Sequence, residues 1–453
     1  MLPNLPLLLA GRPLNLLLTG YLGLDYLAIA LLSLFIPRAA TFVLLLGAVV
    51  LDFIHAACAT YLFSPSEFLN SLRFGDMLST ARVGAIAGAF VLVVFLCVLT
   101  TLCTSRNGAA TQRRIAILST LVLLAVLPLL QWSARRHTLP GSDEDAAGVS
   151  LVRMPLLSLI QRQRIYERYD RGERLASAFA MPSATALAMN HLHDAGPNQL
   201  PNLVQILVES WGIAKDDALR NALLAPYADP RLQARYDLIE GTMPFEGPTT
   251  SGEARELCQS HLGFNASHGT VEQMQHCQPM RLRGMGYTTL GVHGFKSEMF
   301  DRNVWYPEMG FEDSWFEDRL HAAGWPDCPG FFPGTCDASV ASWLGERLIQ
   351  PHVSPLFVHW VTLNSHLPVP VPAPVVHPAS CAVSSATSNA EICSWYQLLA
   401  VVQDAVRDMA LRPLSRPTIF VIVGDHAPPF YQQDLRSQFS ASDVPYVILL
   451  PKR

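Results

Sequence analysis

The sequence predicts an α-helical transmembrane bundle followed by an α/β domain with a largely parallel central sheet. Three observations lead there. Half of the 453 residues are hydrophobic and only 15% are charged, which is too apolar for an ordinary soluble chain. The apolar excess collects in the first third of the chain, in stretches of roughly twenty residues, the length a bilayer span requires. Beyond residue 200, short apolar runs alternate with helical patterns, as they do in parallel sheets covered on both faces.

Taken in order, the stretches 14–36, 39–63, 82–104 and 114–132 are the expected spans. Residues 1–134 are thus read as a four-helix transmembrane anchor. The first stretch has no basic region before it and more spans follow, so a cleaved signal peptide is not expected. Arg38 in the first connection and Arg106, Arg113 and Arg114 around the third place both connections in the cytoplasm and both termini outside. Arg135 and Arg136 oppose that orientation, but the cysteines favour it. Cys58, Cys97 and Cys103 lie in apolar segments, whereas Cys258, Cys277, Cys328, Cys336, Cys381 and Cys393 form three sequence-neighbouring pairs beyond the last span. Such pairs suggest disulfides and an oxidising compartment, and no CxxC spacing supports zinc binding by these thiols.

Residues 135–200 read as a linker with an amphipathic helix. Leu156, Leu157, Ile160, Ile165 and Tyr166 are interleaved with Arg162, Arg164, Glu167 and Arg168, a pattern that suits a helix on a membrane surface or one packed on a domain. Residues 201–453 read as an extracytoplasmic catalytic domain. Strands are expected at 203–208, 287–292, 356–362, 418–423 and 446–450, and helices at 338–350 and 394–411. The Pro-rich run 367–380 must be an extended loop, because proline neither donates to a ladder nor continues a helix. Beyond residue 131 the chain carries 25 basic and 33 acidic residues. This mild acidity argues against a nucleic-acid partner.

Two strand ends carry chemistry. PNLVQILVESWG breaks at Glu209, and TIFVIVGDHAPPF breaks at Gly424 to deliver Asp425 and His426. Ligands collect at the carboxyl ends of parallel strands, and two carboxylates with an imidazole make a plausible set for one divalent ion. Between them, in FEGPTTSGEAREL, Gly247 and Pro248 make a turn, and Thr250 with Glu253 has the spacing of a capping box that opens a helix. The Thr250 hydroxyl then sits at the positive end of a helix, where an alkoxide could attack phosphorus or sulfur. Thr249, one residue earlier, reads as loop. His359, inside the strand FVHWV, reads as core.

The motifs LVES, GPTTSGE, RGMGYTTLGVHGFKSEMFDRNVWYPEMGFED, TLNSHLP and VGDH together resemble the extracytoplasmic sulfatase-like transferases of the alkaline phosphatase superfamily. That group includes lipoteichoic-acid synthases and bacterial phosphoethanolamine transferases. The resemblance covers about 201–450 and implies an alkaline phosphatase/sulfatase-like fold. It implies one divalent ion, zinc or manganese, on Glu209, Thr250, Asp425 and His426, with Thr250 also the nucleophile. It places substrate contacts on His293, Phe300, Arg302 and His366. Arg302 would grip a phosphate oxygen, and His366 would protonate the leaving alkoxide and later deprotonate the acceptor.

The implied partners are a membrane phospholipid donor of phosphoethanolamine or phosphoglycerol and an envelope glycan or glycolipid acceptor. The implied place is a bacterial inner membrane, with the catalytic domain in the periplasm. The chain departs from the lipoteichoic-acid synthases in showing four spans rather than five and in carrying the six paired cysteines. Two alternatives stay open, a sulfatase- or phosphatase-type hydrolase and a non-catalytic membrane scaffold. The hydrolase is disfavoured by the absence of a CxPSR-like nucleophile motif.

Overall fold

The computed structural model describes residues 4–11, 14–77, 80–103, 114, 117–126, 150–170, 182–192, 200–259 and 274–452. The chain divides into two units, Met1–Arg168 with Phe430–Ser437, and Tyr169–Pro429 with Gln438–Arg453.

In the first unit, among the described residues, the helices Arg38–Tyr61 and Val83–Leu102 are long and apolar enough to cross a membrane. They fall on the second and third expected spans. The first expected span, 14–36, is not one helix. Strand β1 (Gly20–Gly23) interrupts it and pairs in parallel with β2 (Ser150–Arg153), and helix resumes only at Leu24–Leu32. Hydropathy registers the leucines but not a pairing partner far downstream, nor the side chains that serve this backbone. The Leu17 N–H donates to Thr60 Oγ1 at 2.7 Å and the Gly23 N–H to Asn4 Oδ1 at 2.8 Å. Of the fourth expected span, Ile117–Val126 is a shorter apolar helix, and all the rest but Arg114 lies outside the described residues.

Asp52, inside the helix Arg38–Tyr61, is fully buried and paired. Arg153 donates to its two oxygens at 2.7 and 2.5 Å, and the Tyr26 hydroxyl donates at 2.8 Å. An aspartate in an apolar helix survives only with such partners. A helix, Pro155–Asp170, lies in the stretch where an amphipathic helix is expected, with Leu156, Leu157 and Ile160 exposed.

The second unit is built on β3 (Asn202–Val208), β4 (Tyr236–Pro244), β5 (Thr288–His293) and β6 (Asp313–Trp315). A small hairpin follows, β7 (Asp327–Cys328) with β8 (Gly334–Thr335), then β9 (Leu356–Val361), β10 (Thr418–Gly424) and β11 (Asp443–Pro451). Among the described residues a seven-stranded sheet has the order β4-β11-β10-β3-β9-β5-β6. The run β10-β3-β9-β5-β6 is parallel, and β11 and β4 continue it antiparallel at one edge. Every residue of β3, β9 and β10 is buried, which is why these strands read as unbroken apolar runs.

All five expected strands are present. β4 and β6 escape the sequence pattern for physical reasons. β4 is an edge strand whose YDLIEGTMP mixes acids, glycine and proline, and β6 has three residues. The expected helices appear as Asp337–Ile349 and Ala390–Leu411, the second beginning early because the Asn389 side chain accepts the Glu391 and Ile392 N–H groups. Residues 367–380 carry no regular structure. The six cysteines beyond residue 200 close as Cys258–Cys277, Cys328–Cys336 and Cys381–Cys393.

Candidate functional site

Strand register assembles the site. Val208 pairs with Gly424, so β3 and β10 release Glu209 and Asp425 side by side. Gly424 has to be glycine, since a Cβ there would lie 2.0 Å from the Trp211 carbonyl oxygen. Ser210, in the left-handed region at φ 57°, joins the two acids: its N–H donates to Asp425 Oδ1 at 2.7 Å and its hydroxyl to Glu209 Oε1 at 2.8 Å. Such a conformation persists only where the surroundings enforce it. The segment after β9 holds Glu209 from the other side. Thr362 Oγ1 accepts the Glu209 N–H at 2.9 Å, and the Ser365 hydroxyl donates to the Glu209 carbonyl at 2.7 Å.

The helix Thr249–Cys258 starts one residue earlier than the sequence suggests. Pro248 takes the cap position, and no side chain caps the helix. The expected Thr250–Glu253 capping box is therefore absent, because Glu253 turns inward to Arg302 and Tyr306. Thr249, in the first turn, donates its hydroxyl to Glu209 Oε2 at 2.9 Å. Thr250, about 100° further around the helix, is buried, and among the described residues its hydroxyl has no hydrogen-bond partner. The helix is fastened to the end of β10: a Cβ on Gly252 would sit 3.0 Å from Asp425 Cβ, and Arg255 donates to the Gly424 and Asp425 carbonyls at 2.6 and 3.2 Å.

Glu209, Asp425 and His426 are buried and bring ligand atoms within 4.8 Å of one another. The His426 Nδ1–H donates to the Ala427 carbonyl at 3.0 Å, which leaves Nε2 3.6 Å from Glu209 Oε1 and 3.3 Å from Asp425 Oδ2. Burial pushes the Asp425 carboxyl up to about 7, and the Glu209 charge adds to that. Burial also works against ionised Glu209. There the His366 and His426 charges and the hydrogen bonds from Ser210 and Thr249 prevail, and the carboxyl stays below its usual value. Asp425 Oδ2 accepts no hydrogen bond from the described residues. An orphaned oxygen beside a second carboxylate, an imidazole and a hydroxyl is a donor set that fits a divalent cation.

The remaining expected residues fall around this cluster. His366 is half-buried on the segment after β9, and its charge is felt at Glu209. His293, at the end of β5, donates Nδ1–H to the Val361 carbonyl at 3.0 Å. Burial, helped by Arg302, drives its pKa down to about 3, so the ring is neutral. Arg302 is fully buried and spends its fork on Glu253, at 3.1 and 2.7 Å, and Glu253 also takes the Tyr306 hydroxyl at 2.6 Å. Phe300 and Asp301 are both in the left-handed region, at φ 59° and 55°, and the Arg302 guanidinium lies 5.5 Å from the Phe300 ring centre. His359 is buried in β9 and bonded to Gln205 and Glu253.

Sequence reasoning missed Ser210, Arg255, the pairing of Glu253 with Arg302 and Tyr306, and the ring pair Phe331–Phe332, which packs on His366. A signal existed for some of them: Thr249, Gly252 and Arg255 recur every three residues, on the helix face turned to Glu209 and β10.

No curated protein matches the chain in sequence. Among solved structures it is similar to the lipoteichoic acid synthase LtaP from Listeria monocytogenes, with 13% identity, TM-score 0.38, 56% of this chain and 66% of that one covered. The chain thus spans just under two thirds of the Listeria chain. It is similar to the phosphoglycerol transferase GacH of Streptococcus pyogenes in complex with sn-glycerol-1-phosphate, with 17% identity, TM-score 0.40 and coverage of 61% and 74%. The zinc complex of the periplasmic domain of EptC from Escherichia coli follows, with 14% identity, TM-score 0.33 and coverage of 56% and 73%. The family model described as Sulfatase matches residues 256–453, a stretch that contains Asp425 and His426 and begins just after the threonine pair. The C-terminal part of the chain, residues 256–453, with Asp425 and His426 of the strand-end cluster, is therefore similar to the Sulfatase family.

Proposed function

We propose that the chain is a membrane-anchored, metal-dependent transferase. It moves the phosphate-bearing head group of a phospholipid, phosphoethanolamine or phosphoglycerol, to a sugar hydroxyl of an envelope glycan or glycolipid. The observation that carries this reading is the Thr249 hydroxyl, set at a helix start and aimed at Glu209 beside Asp425 and His426. On this reading the nucleophile is Thr249 rather than the expected Thr250, a reading the hydrogen bond to Glu209 supports.

Glu209, Asp425, His426 and Thr249 Oγ1 would hold the ion, zinc or manganese. When bound, a divalent cation lowers the cost of ionising the hydroxyl and offsets the paired carboxylates. Thr249 Oγ1 passes its proton to Glu209, which it already faces, and bonds to phosphorus as the bond from phosphorus to the diacylglycerol oxygen breaks. His366 protonates that oxygen. In the second half, His366 takes the proton of the acceptor hydroxyl, which attacks the phosphorus of phospho-Thr249, and Glu209 returns its proton to the departing Thr249 oxygen. His293 and Phe300 line the head-group pocket. Arg302 contributes its charge to the site while its fork holds Glu253.

The two apolar helices and the exposed Leu156, Leu157 and Ile160 suit a lipid donor, and the disulfides suit a periplasm outside a bacterial inner membrane. The test is intact-mass analysis of the full chain in detergent after exposure to phospholipid. A head-group phosphate adduct is expected. Rapid release of head-group phosphate without a glycan acceptor would replace the transferase with a hydrolase, and a protein that neither binds metal nor forms the adduct would be a scaffold.

A further inference from the structure

We infer that the loop closed by the Cys328–Cys336 disulfide is a positioning device for His366, with Phe331 and Phe332 as its working side chains. The inference rests on the proposed proton-transfer role of His366. The Phe331 ring stacks on the imidazole at 5.2 Å and 25°, and the Phe332 ring meets it edge-on at 5.0 Å and 72°. The two phenyl rings are 4.7 Å apart and nearly perpendicular, at 83°. One ring therefore resists tilting of the imidazole out of its plane while the other blocks its sideways swing. Phe332 is itself backed by the buried Phe295 at 5.1 Å.

The base of the loop is fixed independently of His366. β7 and β8 pair Asp327 with Thr335, the disulfide joins Cys328 to Cys336, and the Thr335 N–H donates to the Gly294 carbonyl at 2.8 Å, next to His293. Cys336 then caps the helix Asp337–Ile349. The Asp337 carboxylate accepts the N–H groups of Leu363 and Asn364 at 2.8 to 3.1 Å, two residues short of His366. A short covalent loop is thus tied at one end to the segment that carries His366 and at its tip presses two rings on the imidazole. Without the disulfide, the loop regains conformational freedom and the rings lose their fixed approach. Phe331 and Phe332 touch the proton-transfer group rather than the reacting phosphorus, so they are positioning residues.

The test uses the full chain in detergent, with phospholipid as donor. Phe331→Ala is expected to lower kcat by about ten- to a hundred-fold, the usual effect of a misplaced group, with KM within about two-fold, and Phe331→Tyr is expected to restore most of it. The double variant C328S/C336S is expected to lower kcat in the same way. A second readout does not need activity. In protein labelled at histidine, the His366 ring protons carry an upfield ring-current shift, assigned by its loss in His366→Asn, and this shift collapses in Phe331→Ala and shrinks in C328S/C336S. Unchanged kcat in Phe331→Ala against an active wild type would overturn the inference, as would a His366 resonance that does not move in it. An inactive wild type would instead overturn the proposed function, and the ring-current experiment would still decide whether the loop holds His366.

Discussion

The Thr249 hydroxyl lies 2.9 Å from Glu209 Oε2, whereas the neighbouring Thr250 hydroxyl is buried without a partner among the described residues. Successive helical residues point about 100° apart, so only one of the two can face the carboxylates. Thr249→Ala should therefore abolish the head-group phosphate adduct, and Thr250→Val should keep it. Replacing an unsatisfied buried hydroxyl with a methyl of the same shape is close to neutral or stabilising. The urea midpoint of Thr250→Val should match or exceed that of the wild type. An adduct that disappears in Thr250→Val and persists in Thr249→Ala would return the nucleophile to Thr250.

The Glu253–Arg302 pair is a structural centre one helical turn from Thr249. Both side chains are almost completely inaccessible, and Tyr306 and His359 share the same carboxylate. Breaking a buried pair by removing one partner leaves an uncompensated charge, a loss of about 3–5 kcal/mol. Arg302→Ala and Glu253→Ala should each show this in urea unfolding, and a loss below about 1 kcal/mol would show the pair to be dispensable. Burial raises the Glu253 carboxyl, but the Arg302 and His359 charges and their hydrogen bonds outweigh it and hold the group far below the usual carboxylate range. A depressed acid stabilises the fold above its unfolded pKa and loses that contribution as pH falls through the folded value. The contribution should thus be intact at neutral pH and fade only in strong acid, read as the difference between wild type and Glu253→Gln across a pH series.

The strand ends were legible because β3 and β10 are buried on both faces. Their apolar runs stop abruptly, and Glu209, Asp425 and His426 mark where they stop. The parallel pairing that sets Val208 against Gly424 follows from the α/β alternation. The helix start was less legible. A threonine at N1 and one at N2 differ by a single residue of register, and Pro248 in the cap position, which has no side-chain hydroxyl, gave no hydrogen-bonding signal to settle it. The Arg302–Glu253 pairing is not legible for a similar reason, since the two residues lie 49 apart in sequence and only the folded chain brings them together. The break of the first span by β1 depends on an equally distant strand, β2, which hydropathy does not see.

The disulfides make a redox statement that thiol counting can check. Cys258–Cys277, Cys328–Cys336 and Cys381–Cys393 account for six of the nine cysteines, which leaves three thiols. Alkylation of the unreduced, denatured protein isolated from its native envelope should label Cys58, Cys97 and Cys103 and no other. Labelling of all nine would remove the argument for an oxidising compartment.

Metal affinity should depend on pH in a direction set by Asp425. In the metal-free site its carboxyl is raised to about 7, first by burial and then by the Glu209 charge, so below that pH a proton occupies the position the cation needs. Binding must expel that proton, so affinity for zinc or manganese should fall by about tenfold for each pH unit below 7 and level off above it. Calorimetry on chelator-stripped protein in buffers of different ionisation enthalpy would report close to one proton released per ion at pH 6 and fewer at pH 8. Asp425→Asn removes both the proton and a charged ligand, so it should weaken binding and flatten the pH dependence together. Glu209→Gln should weaken binding too, but it also relieves the repulsion that helps to raise Asp425, so the affinity that remains should hold to a lower pH. An affinity independent of pH between 6 and 8 in the wild type would mean that Asp425 is already ionised without the ion, and that the cation does not relieve a strained pair of carboxylates.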